Sequence, residues 1–157
     1  MLRPEIQEYG KDILESEIFK KALKTPHHLG TTTIGSHSLS VAERCLRVAD
    51  KYPGLKLDRR MMVRAALCHD LGLTDRPHCN TMGVLAFSHP VYSVILAKEF
   101  NLNLTKEEER MISRHMFPLS RIPDTMENWV LVYSDKYCAD REIITLFRRK
   151  KPAAATY

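Results

Sequence analysis

The run Ala66-Leu67-Cys68-His69-Asp70-Leu71-Gly72 closes an apolar helical stretch on an adjacent imidazole and carboxylate. Gly72 fits the C′ position of that helix, which predicts His69 and Asp70 in its last turn. A carboxylate is badly placed there. The negative end of the helix dipole costs it about 0.3–1 kcal/mol, and apolar neighbours add desolvation. A bound cation removes the conflict, because His and Asp are both metal ligands. Residues of the same two kinds stand on other predicted helices: His37, His89, His115 and Asp135. Taken singly, each reads as a core histidine or a paired carboxylate; taken jointly, they favour a metal site. Such a donor set suits Mn, Fe, Co, Ni or Zn, and Mg less well. It exceeds the need of one tetrahedral ion and suffices for two bridged by a carboxylate, with positions left for water and substrate. One or two divalent transition-metal ions are therefore the expected cofactor.

The elements that must position these groups read as helices. Apolar spacing predicts one from Pro4 to about Leu23, weakened at Gly10, then a loop from Lys24 to Ser36 that holds His27 and His28 without an assigned role. A second helix is expected from Ser36 or His37 to about Lys51, with His37, Val41, Cys45 and Val48 on its buried stripe. A third spans about Asp58 to Leu71 and turns His69 inward. A long loop from Gly72 to Ser88 follows, of a length that often serves as a lid or substrate contact. Ser88-His89-Pro90 reads as the start of the next helix, which runs to about Phe100. Thr105 to Glu108 is a capping box opening a helix that ends at His115, and Asp124 to Glu127 is a second such pattern, before a helix aligning Leu131, Asp135 and Ala139. A final helical segment covers Ile143 to Phe147. The sequence carries no hairpin signal or sustained strand-type alternation, so the expected fold class is all-α, a bundle of about six to seven helices.

Composition sets the frame. The 157 residues fit one domain, and 44% hydrophobic with 27% charged residues is ordinary for a soluble globular chain. No run approaches a membrane span and the N-terminus does not begin a signal peptide, which makes a cytoplasmic setting the default. Cys45, Cys68, Cys79 and Cys138 show no zinc-ribbon spacing and read as free thiols. The net charge of +5 is mild, and the run Arg148-Arg149-Lys150-Lys151 reads as a solvated helix end rather than a nucleic-acid contact. The oligomeric state stays open, a homo-oligomer included.

The order His37, His69-Asp70, Asp135, with helical patterning between, resembles the HD-domain superfamily of metal-dependent phosphohydrolases. The resemblance runs from about the second helix to the sixth. It implies one HD-like metal-binding domain over 1–157, which includes an N-terminal helix in 1–24 and a C-terminal helix and basic tail in 142–157. It implies that His37, His69, Asp70 and Asp135 bind a divalent metal. His89 and His115 match the dinuclear members, where Asp70 would bridge two ions and the two extra histidines would hold the second. Arg114-His115-Met116-Phe117-Pro118 and the run from Tyr133 to Ala139 are similar to small stand-alone bacterial HD proteins. One departure stands out: many HD hydrolases carry Lys or Glu three residues after the Asp of the pair, and here that residue is Leu73.

The expected activity is hydrolysis of a phosphate ester or anhydride, of a nucleotide or related phosphometabolite, by a metal-activated water. Asp70 and Asp75 are the expected catalytic residues, and Lys136, Arg114 and Arg76 the expected substrate contacts. Two other readings use the same residues: a di-iron HD-type oxygenase, and a non-catalytic HD module that binds a nucleotide or protein.

Overall fold

The computed structural model describes residues 2–27, 30, 32–74 and 82–150. Among them the chain forms eight α-helices: α1 (Pro4–Tyr9), α2 (Lys11–Glu15), α3 (Glu17–Ala22), α4 (Ile34–Lys51), α5 (Arg59–Cys68), α6 (Met82–Glu99), α7 (Lys106–Arg114) and α8 (Met126–Lys150). Two strands of two residues, β1 (Pro26–His27) and β2 (Thr32–Thr33), pair antiparallel, with His27 opposite Thr32. The all-α class holds, with more and shorter helices than periodicity alone predicts. Among the described residues no helix is long and apolar enough to cross a membrane.

The single N-terminal helix expected over residues 4–23 is three. Gly10 lies so close to α5 that a Cβ there would collide with the Leu67 side chain, and the chain breaks at this contact. Ser16 is extended and caps α3, its hydroxyl accepting from Phe19 N–H at 3.3 Å. The breaks let α1 to α3 wrap the core and bury Ile6, Ile13, Ile18 and Phe19, which one straight rod could not. Downstream, Thr33 caps α4 by accepting from Ser36 N–H at 3.1 Å, so that helix starts earlier than expected. Asp58 caps α5 in the same way, from Met61 N–H at 2.9 Å.

Three boundaries differ around the site. Helix α5 ends at Cys68 with His69 as its C-cap, and Leu71–Leu73 forms a 3₁₀ turn. Gly72 is therefore not a left-handed C′ residue. A Cβ there would collide with the His89 carbonyl oxygen, so glycine is required by the close approach of this turn to α6. Helix α6 begins at Met82 rather than at Ser88, and Pro90 lies in its interior. Packing of α6 on the 71–73 turn and on α7 holds the helix through the proline. The α7 capping box forms as expected, Thr105 Oγ1 accepting from Glu108 N–H at 3.1 Å and Glu108 Oε2 from Thr105 N–H at 2.8 Å. In α8 the cap is Thr125, which accepts from Asn128 N–H at 3.2 Å, instead of an Asp124–Glu127 box. The segment at 143–147 is the continuation of this one helix.

Helix α4 packs against α5 and α8, and α7 against α5, α6 and α8, around a core that includes Val41, Leu46, Met62, Leu67, Ile112 and Leu131. Cys45, Cys68 and Cys138 are buried free thiols, burial pushing Cys45 up to about 12 and Cys138 up to about 11. Cys79 lies outside the described residues. Arg64 is buried as well, and its guanidinium ties α5 to its neighbours. It donates to both Asp12 oxygens at 2.6 and 3.0 Å, to the carbonyls of Tyr9 and Asn103 at 3.0 and 3.1 Å, and stands 3.2 Å from Glu108.

Candidate metal centre

Six groups expected to converge do so. His37 comes from the first turns of α4, His69 and Asp70 from the end of α5, His89 from the middle of α6, His115 from the C-cap of α7 and Asp135 from α8. All are buried. The two oxygens of Asp70 face different partners. Its Oδ2 stands 3.4 Å from His69 Nε2 and 3.8 Å from His37 Nε2, while Oδ1 stands 3.2 Å from His89 Nε2 and 3.5 Å from His115 Nε2. Asp135 Oδ1 completes the first side, 3.0 Å from His37 Nε2 and 3.6 Å from His69 Nε2. On the second side the Nε2 atoms of His89 and His115 are 3.0 Å apart.

Local structure aims these groups. The Ser93 hydroxyl accepts from Gly72 N–H at 2.8 Å and is turned toward the carbonyls of His69 and His89 at 2.7 and 2.9 Å, tying the end of α5 to α6. His69 Nδ1 donates to the Ala66 carbonyl at 2.7 Å, and His115 Nδ1 to the Ile112 carbonyl at 2.7 Å. These bonds fix the tautomer of each neutral ring, leaving its Nε2 lone pair pointing into the centre.

That arrangement supplies a test of fit. His69 Nε2 is buried with no hydrogen-bond partner, and it faces two carboxylate oxygens. A lone pair aimed at two anions is repulsive unless a proton or a metal ion lies between them, and the donor types are those of a divalent transition metal. Three overlapping groups each bring their donor atoms close enough to hold an ion: His27, His37 and Asp70; His37, His69 and Asp135; His69, Asp70 and His115. The protonation energetics point the same way. Burial opposes charge on His37, but Asp135, Glu142 and Asp70 outweigh it and push its pKa up to about 9. His69 is raised well above 6.5 although burial opposes it, because Asp70 and Asp135 lie against it. Burial would raise Asp70 and Asp135, yet the surrounding imidazoles hold both below the usual carboxylate range. His115 is lowered, burial being the main cause. The centre favours positive charge, and protons and metal ions compete for it.

Two residues enter that sequence reasoning passed over. His27, on β1, is buried with its Nε2 3.5 Å from Asp70 Oδ2. Nothing periodic marks it; the short β1–β2 ladder brings it in. Glu142 lies on α8 with its oxygens 3.1 and 3.2 Å from His37 Nδ1, the carboxylate–histidine arrangement that orients metal ligands. It follows Asp135 by two helical turns on one face, a spacing that was open to notice.

A family model described as HD domain matches residues 34–140. The chain belongs to the HD domain family. No curated protein and no solved structure matches the chain. The HD-domain match contains His37, His69, Asp70, His89, His115 and Asp135, whereas His27 and Glu142 lie just beyond its two ends.

Outside the cluster the expected residues fare differently. Arg114 is held by Asp124 at 2.6 Å and by the Ile122 carbonyl at 3.3 Å, away from the six converging groups. Lys136 is exposed on α8, beside Asp135 in sequence. Leu73, at the position where many HD hydrolases carry a charged group, is buried in the core. Asp75 and Arg76 fall outside the described residues.

Proposed function

We propose that this HD protein is a metal-dependent phosphohydrolase that cleaves a phosphate ester or anhydride of a nucleotide or related small phosphometabolite. The observation that carries the reading is the divided Asp70 carboxylate, with one oxygen toward His37 and His69 and the other toward His89 and His115. Divalent ions held by these residues would supply charge neutralisation at the phosphoryl oxygens and would acidify a water. Asp70, with His37, His69 and Asp135, would hold one ion, and Asp70, with His89 and His115, would hold the other. The backbone bonds of His69 and His115 and the Glu142 contact of His37 pre-orient the ligands, so that little reorganisation is required when substrate arrives. In this reading Lys136 and Arg76 contact phosphate and Asp75 delivers a proton to the leaving oxygen. Arg114 has its charge spent on Asp124 and drops to a structural role. Free buried thiols accord with a reducing, cytoplasmic setting.

The test is metal quantification on the isolated protein combined with a screen of phosphorylated metabolites in Mn or Co. One or two ions per chain, with turnover that disappears in Asp70→Asn, is the expected result. Iron with oxygen uptake and no phosphate release would replace this reading with the oxygenase. Biological activity that survives His69→Ala and Asp70→Ala would replace it with a binding module.

A further inference from the structure

A cavity of about 510 Å³ lies along the seam of α4 and α8. Glu142 is its common wall with the metal centre, because the same side chain lines the cavity and holds His37 Nδ1. The His37 ring thus separates the two spaces. Five charged side chains line the cavity: Glu43, Arg44, Arg47, Arg141 and Glu142. Arg47 is held by Glu43 at 3.0 Å, and Glu142 by His37. Two cations are left over. Among the described residues neither Arg44 nor Arg141 has a carboxylate in ion-pair range.

Both surplus guanidinium groups are nevertheless held in place, and by the same ring. Arg44 lies 4.0 Å from the Tyr137 ring centroid and donates to the Tyr133 hydroxyl at 2.8 Å, with its Nε buried and without a hydrogen-bond partner. Arg141 lies 5.8 Å from the Tyr137 centroid and donates to the Tyr137 hydroxyl at 3.2 Å. Two like charges fixed around one aromatic ring, at the edge of a cavity, repel each other unless an anion joins them. Cation–π contact and hydrogen bonds to the Tyr133 and Tyr137 hydroxyls hold the two guanidinium groups, whose planar forks suit bidentate recognition of phosphate. The Tyr137 oxygen accepts from Arg141 and keeps its own O–H to donate. The volume falls in the range of small-molecule pockets and exceeds the need of a single inorganic ion.

We propose that this cavity is a second binding site, distinct from the metal centre, for a phosphate-bearing metabolite of about mononucleotide size, with Arg44 and Arg141 as its charge partners and Tyr137 between them. Thr32, Arg141, Glu142 and Thr145 of the cavity wall lie outside the matched residues 34–140. The site requires no particular chemistry at the metal centre.

The experiment is calorimetric titration of chelator-stripped protein with adenosine 5′-monophosphate and, separately, inorganic pyrophosphate. Saturable binding of at least one probe is expected, weakened tenfold or more by Arg44→Gln and by Arg141→Gln and unchanged in His69→Ala. Arg44→Lys, which keeps the charge and loses the planar fork, should fall between Arg44→Gln and wild type; thermal melts of every variant verify folding. The proposal is overturned if the stripped protein binds neither probe, if both glutamine variants bind as wild type does, or if His69→Ala abolishes binding while the arginine variants retain it. Since the titration contains no metal and reads no turnover, failure of the hydrolase reading would leave its outcome untouched.

Discussion

Two places in this molecule bury charge, and they do it in opposite ways. Around Arg64 the charge is answered: the guanidinium meets Asp12 in a fork, two backbone carbonyls and Glu108. Around Asp70 it is answered only by protons or metal ions: imidazole nitrogens and carboxylates face one another, and His69 Nε2 lies 3.4 Å from Asp70 Oδ2. The first arrangement is complete as it stands and holds α5 to α2 and α7. The second is completed by protons on its imidazoles or by metal ions in their place. Burial of ionisable groups therefore says little about function until their partners are counted.

Mutation separates the two regions. Asp70→Asn takes a carboxylate charge from the centre and, on the proposed function, should raise the barrier to metal-dependent turnover by several kcal/mol, a loss of roughly 10³-fold or more in rate. Its fold should survive, because Asn keeps the side chain's shape while giving up the carboxylate's attraction to the imidazoles; steady-state kinetics and circular dichroism check both halves. Arg64→Met does the reverse. It leaves Glu108 buried without its counter-charge and should cost about 3–5 kcal/mol, a fall in Tm of roughly 6–20 °C, while the metal content per folded chain stays unchanged. A smaller effect is expected from Glu142→Gln, which loosens His37 without removing a donor facing the centre: metal affinity should fall about 10–100-fold, with little change in melting. If Glu142→Gln binds metal like wild type, Glu142 does not orient the ligand.

The smallest contrast is in pH, and its sign differs between the regions. In metal-free protein the His37 pKa is raised from 6.5 to about 9, so its stabilising contribution is full below pH 6.5 and is lost as pH rises through about 9. Asp12 is shifted the other way. Burial opposes its charge, but Arg64 outweighs this and lowers its pKa below 3.8, so its contribution is present above that pH and is lost as acid titrates the folded carboxylate. Melts of stripped protein across pH should lose a few degrees at the alkaline end from the centre and at the acid end from the Arg64 pair. Saturating metal should abolish the alkaline loss alone, because ions replace the protons on the imidazoles. An alkaline loss that persists with metal bound would dissociate it from His37.

Helical spacing by itself determined that His37, His69, His115 and Asp135 face inward, since a side chain's face follows from local periodicity wherever one stripe is apolar. It also determined the Thr105–Glu108 box, whose bonds lie within one turn. Periodicity did not foresee that α6 begins at Met82 or that Gly72 serves contact with α6 rather than helix termination. Both depend on a neighbouring backbone that local sequence does not contain. The same limit kept His27 and Arg44 from view, one delivered by a two-residue ladder and the other by packing across α4 and α8. Sequence could propose that Asp70 bridges, but only the tertiary structure decided which imidazoles meet each of its oxygens. Orientation along a helix is local, whereas the distance between two helices is set by everything packed between them.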